Sequence, residues 1–272
     1  MSVSHYENFP VASWLCPPKI RPAVQAIYWF ARTADDLVDE GHAAVADRLK
    51  DLQDFHADLH AVAHGRKPSP RWPGVFVPLA GAMRRHALPV PLFEALLSAF
   101  EQDLTKNRYA DREELLAYCR RSANPIGRLM LHLFGVRDDL SLSQSDAICT
   151  ALQLINFWQD LSVDIERNRL YIPLADCQRE AVAPGDLLDG QHNRAVRRLV
   201  ARMVQWSRGL MQEGAPLATR LPGRVGWELR LVVQGGLLIL DKIEAIEHRT
   251  VVERPVVARG DVPRLAWRAW RM

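Results

Sequence analysis

The strongest constraint on this chain is a conflict between charge and helix periodicity. Two acidic stretches, residues 31–40 and 153–164, lie among apolar residues recurring at three- and four-residue steps, the signature of an amphipathic helix. Each holds two aspartates four positions apart: Asp35 and Asp39 in the first, Asp160 and Asp164 in the second. On a helix that spacing stacks the carboxylates on one face, where like charges destabilise. In the second stretch Gln153, Asn156, Asp160 and Asp164 follow steps of three, four and four, so a polar stripe runs along an otherwise apolar helix. Such a stripe is expected to face a wet or ion-filled hollow, with Asp35 and Asp39 forming the opposite wall. Four facing carboxylates without cations would be very costly, or would hold their protons. Mg²⁺ is the expected partner, because it takes oxygen ligands and shares its sites with substrate phosphates. A pair of solvated acidic faces is the competing account; it explains one such cluster better than two.

The remaining pattern is almost entirely helical. With 272 residues and 48% apolar composition the chain can bury a large core, and one all-α domain is expected over residues 1–255, followed by a basic tail at 256–272. A long helix is expected from Pro18 or Pro22 to Gly41, and another over residues 45–64, with a loop at 65–74. Further helices are expected at 75–87, 90–105, 112–121 and 126–134, the last two separated at Asn124-Pro125. Ser141 opens a strong helix, with Ser143 or Ser145 as caps, running through the second acidic stretch to about Asn168. Pro173 and Pro184 mark loops, and long helices follow at 191–213 and 223–249.

The net charge of +3 is small, and no zinc-finger, RNP or basic-zipper pattern is present, so no nucleic-acid partner is expected. Arginine supplies 30 of the 35 basic residues, which suits forked contacts to carboxylate or phosphate as well as simple codon bias. Cys16, Cys119, Cys149 and Cys177 fit no CxxC spacing and read as reduced thiols of a cytoplasmic protein without a leader. No zinc site is expected. No apolar run reaches the roughly 18 residues of a membrane span. In the tail, Arg259, Arg264, Arg268 and Arg271 alternate with Leu265, Trp267 and Trp270, which suits peripheral association with an anionic membrane face or a simple terminal tail.

Other residues are candidates by position. Arg32 precedes Asp35 by three and Asp36 by four, so it can pair with them or reach a phosphate. Tyr28, one turn earlier, shares the aspartate face and is expected to line a pocket. Arg167, Arg169 and Tyr171 can close over an anion held by metal. Asn124 and Gly127 interrupt a helix where a diphosphate could approach closely, or form a plain kink. Arg128 and Lys242 are phosphate or surface cations, and Trp158 reads as core.

Taken together, these motifs resemble those of the squalene and phytoene synthase family. Tyr28, Arg32, Asp35 and Asp39 resemble its first aspartate-rich motif; residues 153–164 with Arg169-Leu170-Tyr171 resemble its second. The opening His5-Tyr6-Glu7-Asn8-Phe9-Pro10, Asp103-Leu104-Thr105-Lys106-Asn107, Arg121-Ser122-Ala123-Asn124-Pro125 and Phe157-Trp158-Gln159-Asp160 resemble its hydroxysqualene synthase branch of hopanoid biosynthesis. The resemblance implies a single-domain isoprenoid synthase fold, with helices around a central active-site cavity. It implies His5, Asn8 and Phe9 over the substrate pocket, and Asp35, Asp39, Asn156, Asp160 and Asp164 as Mg²⁺ ligands. Tyr28, Arg32, Gln153, Gln159, Arg169 and Tyr171 would surround the substrate.

Where the family commonly has arginine before the second motif's first aspartate, this chain has Gln159. That departure counts against condensation of two farnesyl diphosphates. It fits the later step, in which presqualene diphosphate and water give hydroxysqualene and diphosphate. The substrate would then be handed over by a presqualene diphosphate synthase. The alternatives are the condensation itself, onward to squalene, and a non-catalytic assembly protein of the same fold.

Overall fold

A computed structural model describes residues 16–39 and 43–272. His5, Asn8 and Phe9, expected over the substrate pocket, lie outside them. Among the described residues the elements are helical, and the one β-bridge pairs Arg108 with Leu170. The helices are α1 (Arg21–Asp39), α2 (Val45–Ala63), α3 (Pro73–His86), α4 (Val90–Asp103), α5 (Arg112–Ser122), α6 (Asn124–Leu133) and α7 (Asp139–Gln159). They continue with α8 (Leu161–Glu166), α9 (Leu174–Arg179), α10 (Pro184–Leu188), α11 (Arg194–Gly214), α12 (Pro216–Arg220), α13 (Gly223–Ala245) and α14 (Val262–Trp270). The described residues form two compact units, one of residues 16–39, 43–106 and 120–142, the other Asn107–Cys119 and Ser143–Met272.

The first unit is built around α1. Ala23, Ala26, Ile27, Phe30, Ala34 and Val38 recur at helical steps and are buried. Phe30 is the hub: its ring lies 5.1 Å from that of Phe55 on α2, 6.2 Å from Phe76 on α3 and 5.0 Å from Phe93 on α4. Edge-to-face packing of this kind adds to the area buried. Asp58, buried on α2, accepts from the amide (2.6 Å) and hydroxyl (2.7 Å) of Ser69, which holds the α2–α3 loop against the core.

The second unit packs α11 and α13 with the apolar faces of the later part of α7. Gly214 and Gly236 permit the approach. A Cβ on Gly214 would stand 2.6 Å from the Gln144 carbonyl oxygen, and one on Gly236 would stand 3.2 Å from side-chain carbons of both Leu152 and Ile155. Trp158 is buried as expected, its Nε1 donating to Ser207 Oγ at 2.6 Å. Tyr109, Tyr118, Phe157 and Tyr171 form an aromatic group in which Phe157 and Tyr171 stack with centroids 3.7 Å apart. The tail is a helix docked on α13: Arg268 meets Asp241 at 2.6 Å and Lys242 meets Asp261 at 2.9 Å.

Three expectations of the local reading are corrected. The helix through the second acidic stretch does not run unbroken to Asn168; it breaks at Asp160, because Ser162 N–H donates to the Thr250 carbonyl (3.1 Å) instead of to its own helix. Its start is Asp139 rather than Ser141, and Asp138, not Ser143 or Ser145, accepts from the first-turn amide of Ser141 at 2.9 Å. Pro173 and Pro184 introduce the short helices α9 and α10 rather than loops, as a proline at or before the first helical position allows.

Candidate active site

On α1, Tyr28, Arg32, Asp35 and Asp39 follow steps of four, three and four and are partly exposed, opposite the buried apolar face. Arg32 reaches both neighbouring carboxylates, at 2.6 Å from Asp36 and 3.7 Å from Asp35. The last turn of α1 holds acids and no basic residue. Carboxylates at the negative end of a helix dipole are unfavourable, so this end favours cations, and Arg32 already lies against two of its acids. The carbonyl of the buried Val38 is capped by the Arg48 guanidinium, in the turn before Asp39.

On α7 the stripe is sharper. From Ile148 to Gln159 every residue is buried except Gln153 and Asn156, and the stripe continues through the partly exposed Asp160 and Asp164. Despite the break, backbone bonds from Asp160 N to Asn156 O (2.8 Å) and from Asp164 N to Asp160 O (2.9 Å) preserve the four-residue stacking. The side chains that an apolar helix leaves open are therefore its oxygen donors.

Asp160 also has a partner that sequence reasoning missed. Arg254 grips both its oxygens, Nε on Oδ1 and Nη2 on Oδ2 at 3.2 Å. The hydrogen bond that Arg254 donates to Asp160, aided by the charges of Asp160 and Asp164 and opposed by burial, raises the Arg254 pKa above its ordinary value. Next to it, the buried Gln159 donates Nε2 to the Pro255 carbonyl at 2.7 Å. Gln159, expected to touch substrate, thus anchors the segment that delivers Arg254. Nothing in the local pattern signals this pairing, since the two residues are 94 positions apart.

The other candidates are placed as follows. Asn124 opens α6 and is buried with Gly127, while Arg128 is exposed. Arg169 N–H donates to the Asp164 carbonyl at 2.9 Å, and Tyr171 is buried in the aromatic group. Lys242 is engaged with Asp261. The four cysteines are free and buried. No zinc site is expected for want of an HxxxH spacing, yet His56 and His60 stand four apart on α2 and His64, four further on, is its C-cap.

Chemically, the α1 stripe offers carboxylate oxygens and the α7–α8 stripe carboxylate and amide oxygens, each in line on a helix face with a guanidinium alongside. That donor set fits Mg²⁺ and a phosphorylated ligand, and does not resemble the nitrogen and sulfur sets that zinc selects.

The squalene/phytoene synthase family pattern matches residues 3–271 of this chain. The hydroxysqualene synthase of Zymomonas mobilis subsp. mobilis is 33% identical over 230 residues, an alignment covering 83% of this chain and 75% of that protein. The crystal structure of squalene synthase HpnC from Alicyclobacillus acidocaldarius superposes with a TM-score of 0.82 at 35% identity over 90% of each chain. A dehydrosqualene synthase, 19% identical, superposes with a TM-score of 0.80 over 97% of this chain and 89% of its own. No described helix is long and apolar enough to cross a membrane.

Proposed function

Since the chain belongs to the squalene/phytoene synthase family, we propose that it is an isoprenoid-forming enzyme that converts presqualene diphosphate and water to hydroxysqualene and diphosphate. Its all-α isoprenoid synthase fold is shared with the squalene and dehydrosqualene synthases it superposes on. The family uses prenyl diphosphates and typically depends on a divalent metal.

The observation that carries the reading is the oxygen-donor stripe on α7 and α8, open on a helix whose other late residues are buried. Asp35, Asp39, Asn156, Asp160 and Asp164 are the residues that would hold Mg²⁺. The bound metal would supply charge neutralisation for the departing diphosphate. Arg32 and Arg254 bind and orient diphosphate oxygens; Arg254 can exchange Asp160 for phosphate because both suit its fork. Gln153, Arg169 and Tyr28 position the substrate. Asn124 and Gly127 allow its close approach, and His5, Asn8 and Phe9 cover it.

In the reaction the carbon–oxygen bond to diphosphate breaks and its electron pair leaves with the diphosphate. The resulting cyclopropylcarbinyl cation rearranges. The oxygen of one water then bonds to the allylic carbon and loses a proton. No reductant is consumed. Apolar and aromatic side chains, with Phe157 and Tyr171 as the candidates, exclude further water and stabilise positive charge.

Gln159 supports the choice within the family. The position before Asp160 carries a neutral amide, and the local positive charge comes from Arg254, already paired. The guanidinium that commonly precedes this aspartate in the family is thereby absent, which leaves one fewer cation for a second diphosphate. We further assign supply of the substrate to a presqualene diphosphate synthase, and loose membrane contact to Trp267 and Trp270, which are 55% and 71% exposed on α14.

The test is incubation of the purified chain with Mg²⁺ and either presqualene diphosphate or farnesyl diphosphate, without reductant. Hydroxysqualene from the first only is the expected result. Consumption of the second would assign condensation instead, and inertness towards both would favour a non-catalytic role.

A further inference from the structure

We infer that His56, His60 and Glu94 form a binding site for a divalent d-block ion of the Zn²⁺ type that staples α2 to α4. His56 and His60 are one turn apart on α2, and Glu94 faces them from α4. Their ligand atoms all lie within 4.8 Å of one another. Nε2 of His56 is 3.1 Å from Nε2 of His60, which is 3.4 Å from Oε1 of Glu94. A tetrahedral zinc with ligands at roughly 2.0–2.1 Å has ligand–ligand edges of about 3.3 Å. The side chains therefore stand near coordination spacing before any ion arrives.

The scaffold holds them there. Phe55 and Phe93, the residues preceding His56 and Glu94, are fully buried and both pack on Phe30. Each ligand is thus one residue from an anchor in the same aromatic cluster, which limits the conformational freedom lost on binding. Burial first, then the neighbouring His60, keeps the His56 pKa below its ordinary value, against the opposing pull of Glu94 and Glu101. Neutral imidazole is the ligating form. Glu101, further along α4, adds negative potential that favours a divalent ion.

Two imidazoles and one carboxylate select Zn²⁺, Co²⁺, Ni²⁺ or Cu²⁺ over Mg²⁺, so this site and the aspartate stripes are chemically orthogonal. A fourth position remains for water. His64 continues the spacing, with its Nδ1 against the His60 carbonyl at 2.8 Å, but it is not among the three residues whose ligand atoms lie within 4.8 Å of one another.

The test uses the full-length chain in saturating Mg²⁺, which occupies oxygen sites. Zn²⁺ should raise the unfolding temperature, and Co²⁺ should give visible absorption bands of a nitrogen-ligated, low-coordinate centre. His60→Asn and Glu94→Gln, each shown to be folded by circular dichroism, should weaken Zn²⁺ binding by at least about 100-fold, since loss of a mere outer-shell partner already costs 10–100-fold. His64→Asn should bind as the unaltered chain does. No zinc-dependent shift, equal binding by His60→Asn, or loss of binding in His64→Asn would each overturn the assignment.

Discussion

Arg254 grips Asp160 with two nitrogens of its guanidinium, so the first aspartate of the second motif carries a counter-ion supplied by the segment beyond α13. Asp160 must share its charge between that guanidinium and any metal. Arg254→Gln is therefore expected to tighten Mg²⁺ half-saturation while lowering turnover about 10–100-fold, the equivalent of one charge-assisted hydrogen bond. Arg254→Lys should recover part of the rate. Steady-state rates over a Mg²⁺ series separate the two effects; turnover unchanged by both substitutions would remove Arg254 from the reaction.

The Mg²⁺ role proposed for Asp35 and Asp39 can be separated from a structural one. Asp39→Asn removes a like-charge neighbour of Asp35 and a negative charge from the C-terminal turn of α1. Without Mg²⁺ the stability of the fold should change by no more than about 1 kcal/mol. Turnover should fall at least about 100-fold, and the same loss is expected for Asp160→Asn. Thermal unfolding and product formation measured on the same preparations check both halves. A larger loss of stability in Asp39→Asn would mark the residue as structural.

Gln159 acts through Pro255. Gln159→Leu leaves a buried carbonyl without its donor and should cost about 1–3 kcal/mol in urea unfolding. It should also lower turnover in parallel with Arg254→Gln, and combining the two should add little further kinetic loss. Full additivity would show that Gln159 works independently of Arg254.

The α7 helix is seated against α11 at Gly214. Gly214→Ala would bring a methyl carbon within 2.6 Å of the Gln144 carbonyl oxygen and 2.9 Å of the Ile148 nitrogen, neither of which can rotate away. A loss of about 1–3 kcal/mol is expected. Gly209→Ala, on the same helix with nothing within 4 Å, should instead stabilise by about 0.5–1 kcal/mol. Denaturant midpoints of the pair distinguish packing from propensity.

Burial, with the Asp176 charge beside it, pushes the Cys177 thiol up to about 11 from an ordinary 9.0. The folded state thus favours the protonated thiol. Its contribution to stability is fully present below pH 9 and is lost as pH rises towards 11. At pH 8 iodoacetamide should leave Cys177 unmodified in the native chain and label it after denaturation, as peptide mass analysis would show.

Much of this architecture is legible in the sequence because periodicity records burial. Ala23 to Val38 mark the inner face of α1, and the polar residues Gln153, Asn156, Asp160 and Asp164 mark the open stripe of α7 and α8. What is not legible depends on distant partners. The break at Asp160 arises from the Thr250 carbonyl, and the salt bridge to Arg254 crosses 94 positions. Prolines 173 and 184 mislead because the same ring that ends one element can begin the next. The His56, His60 and His64 spacing stands in the sequence itself, whereas the approach of Glu94 from α4 depends on the packing of Phe30 on Phe55 and Phe93.

The proposed reaction ionises presqualene diphosphate and captures the cation with water. The most direct measurement is mass analysis of the product formed from presqualene diphosphate and Mg²⁺ in water enriched in oxygen-18, without reductant. Hydroxysqualene bearing one heavy oxygen is the predicted result. A hydrocarbon product without oxygen, or an alcohol whose oxygen is unlabelled, would contradict the account.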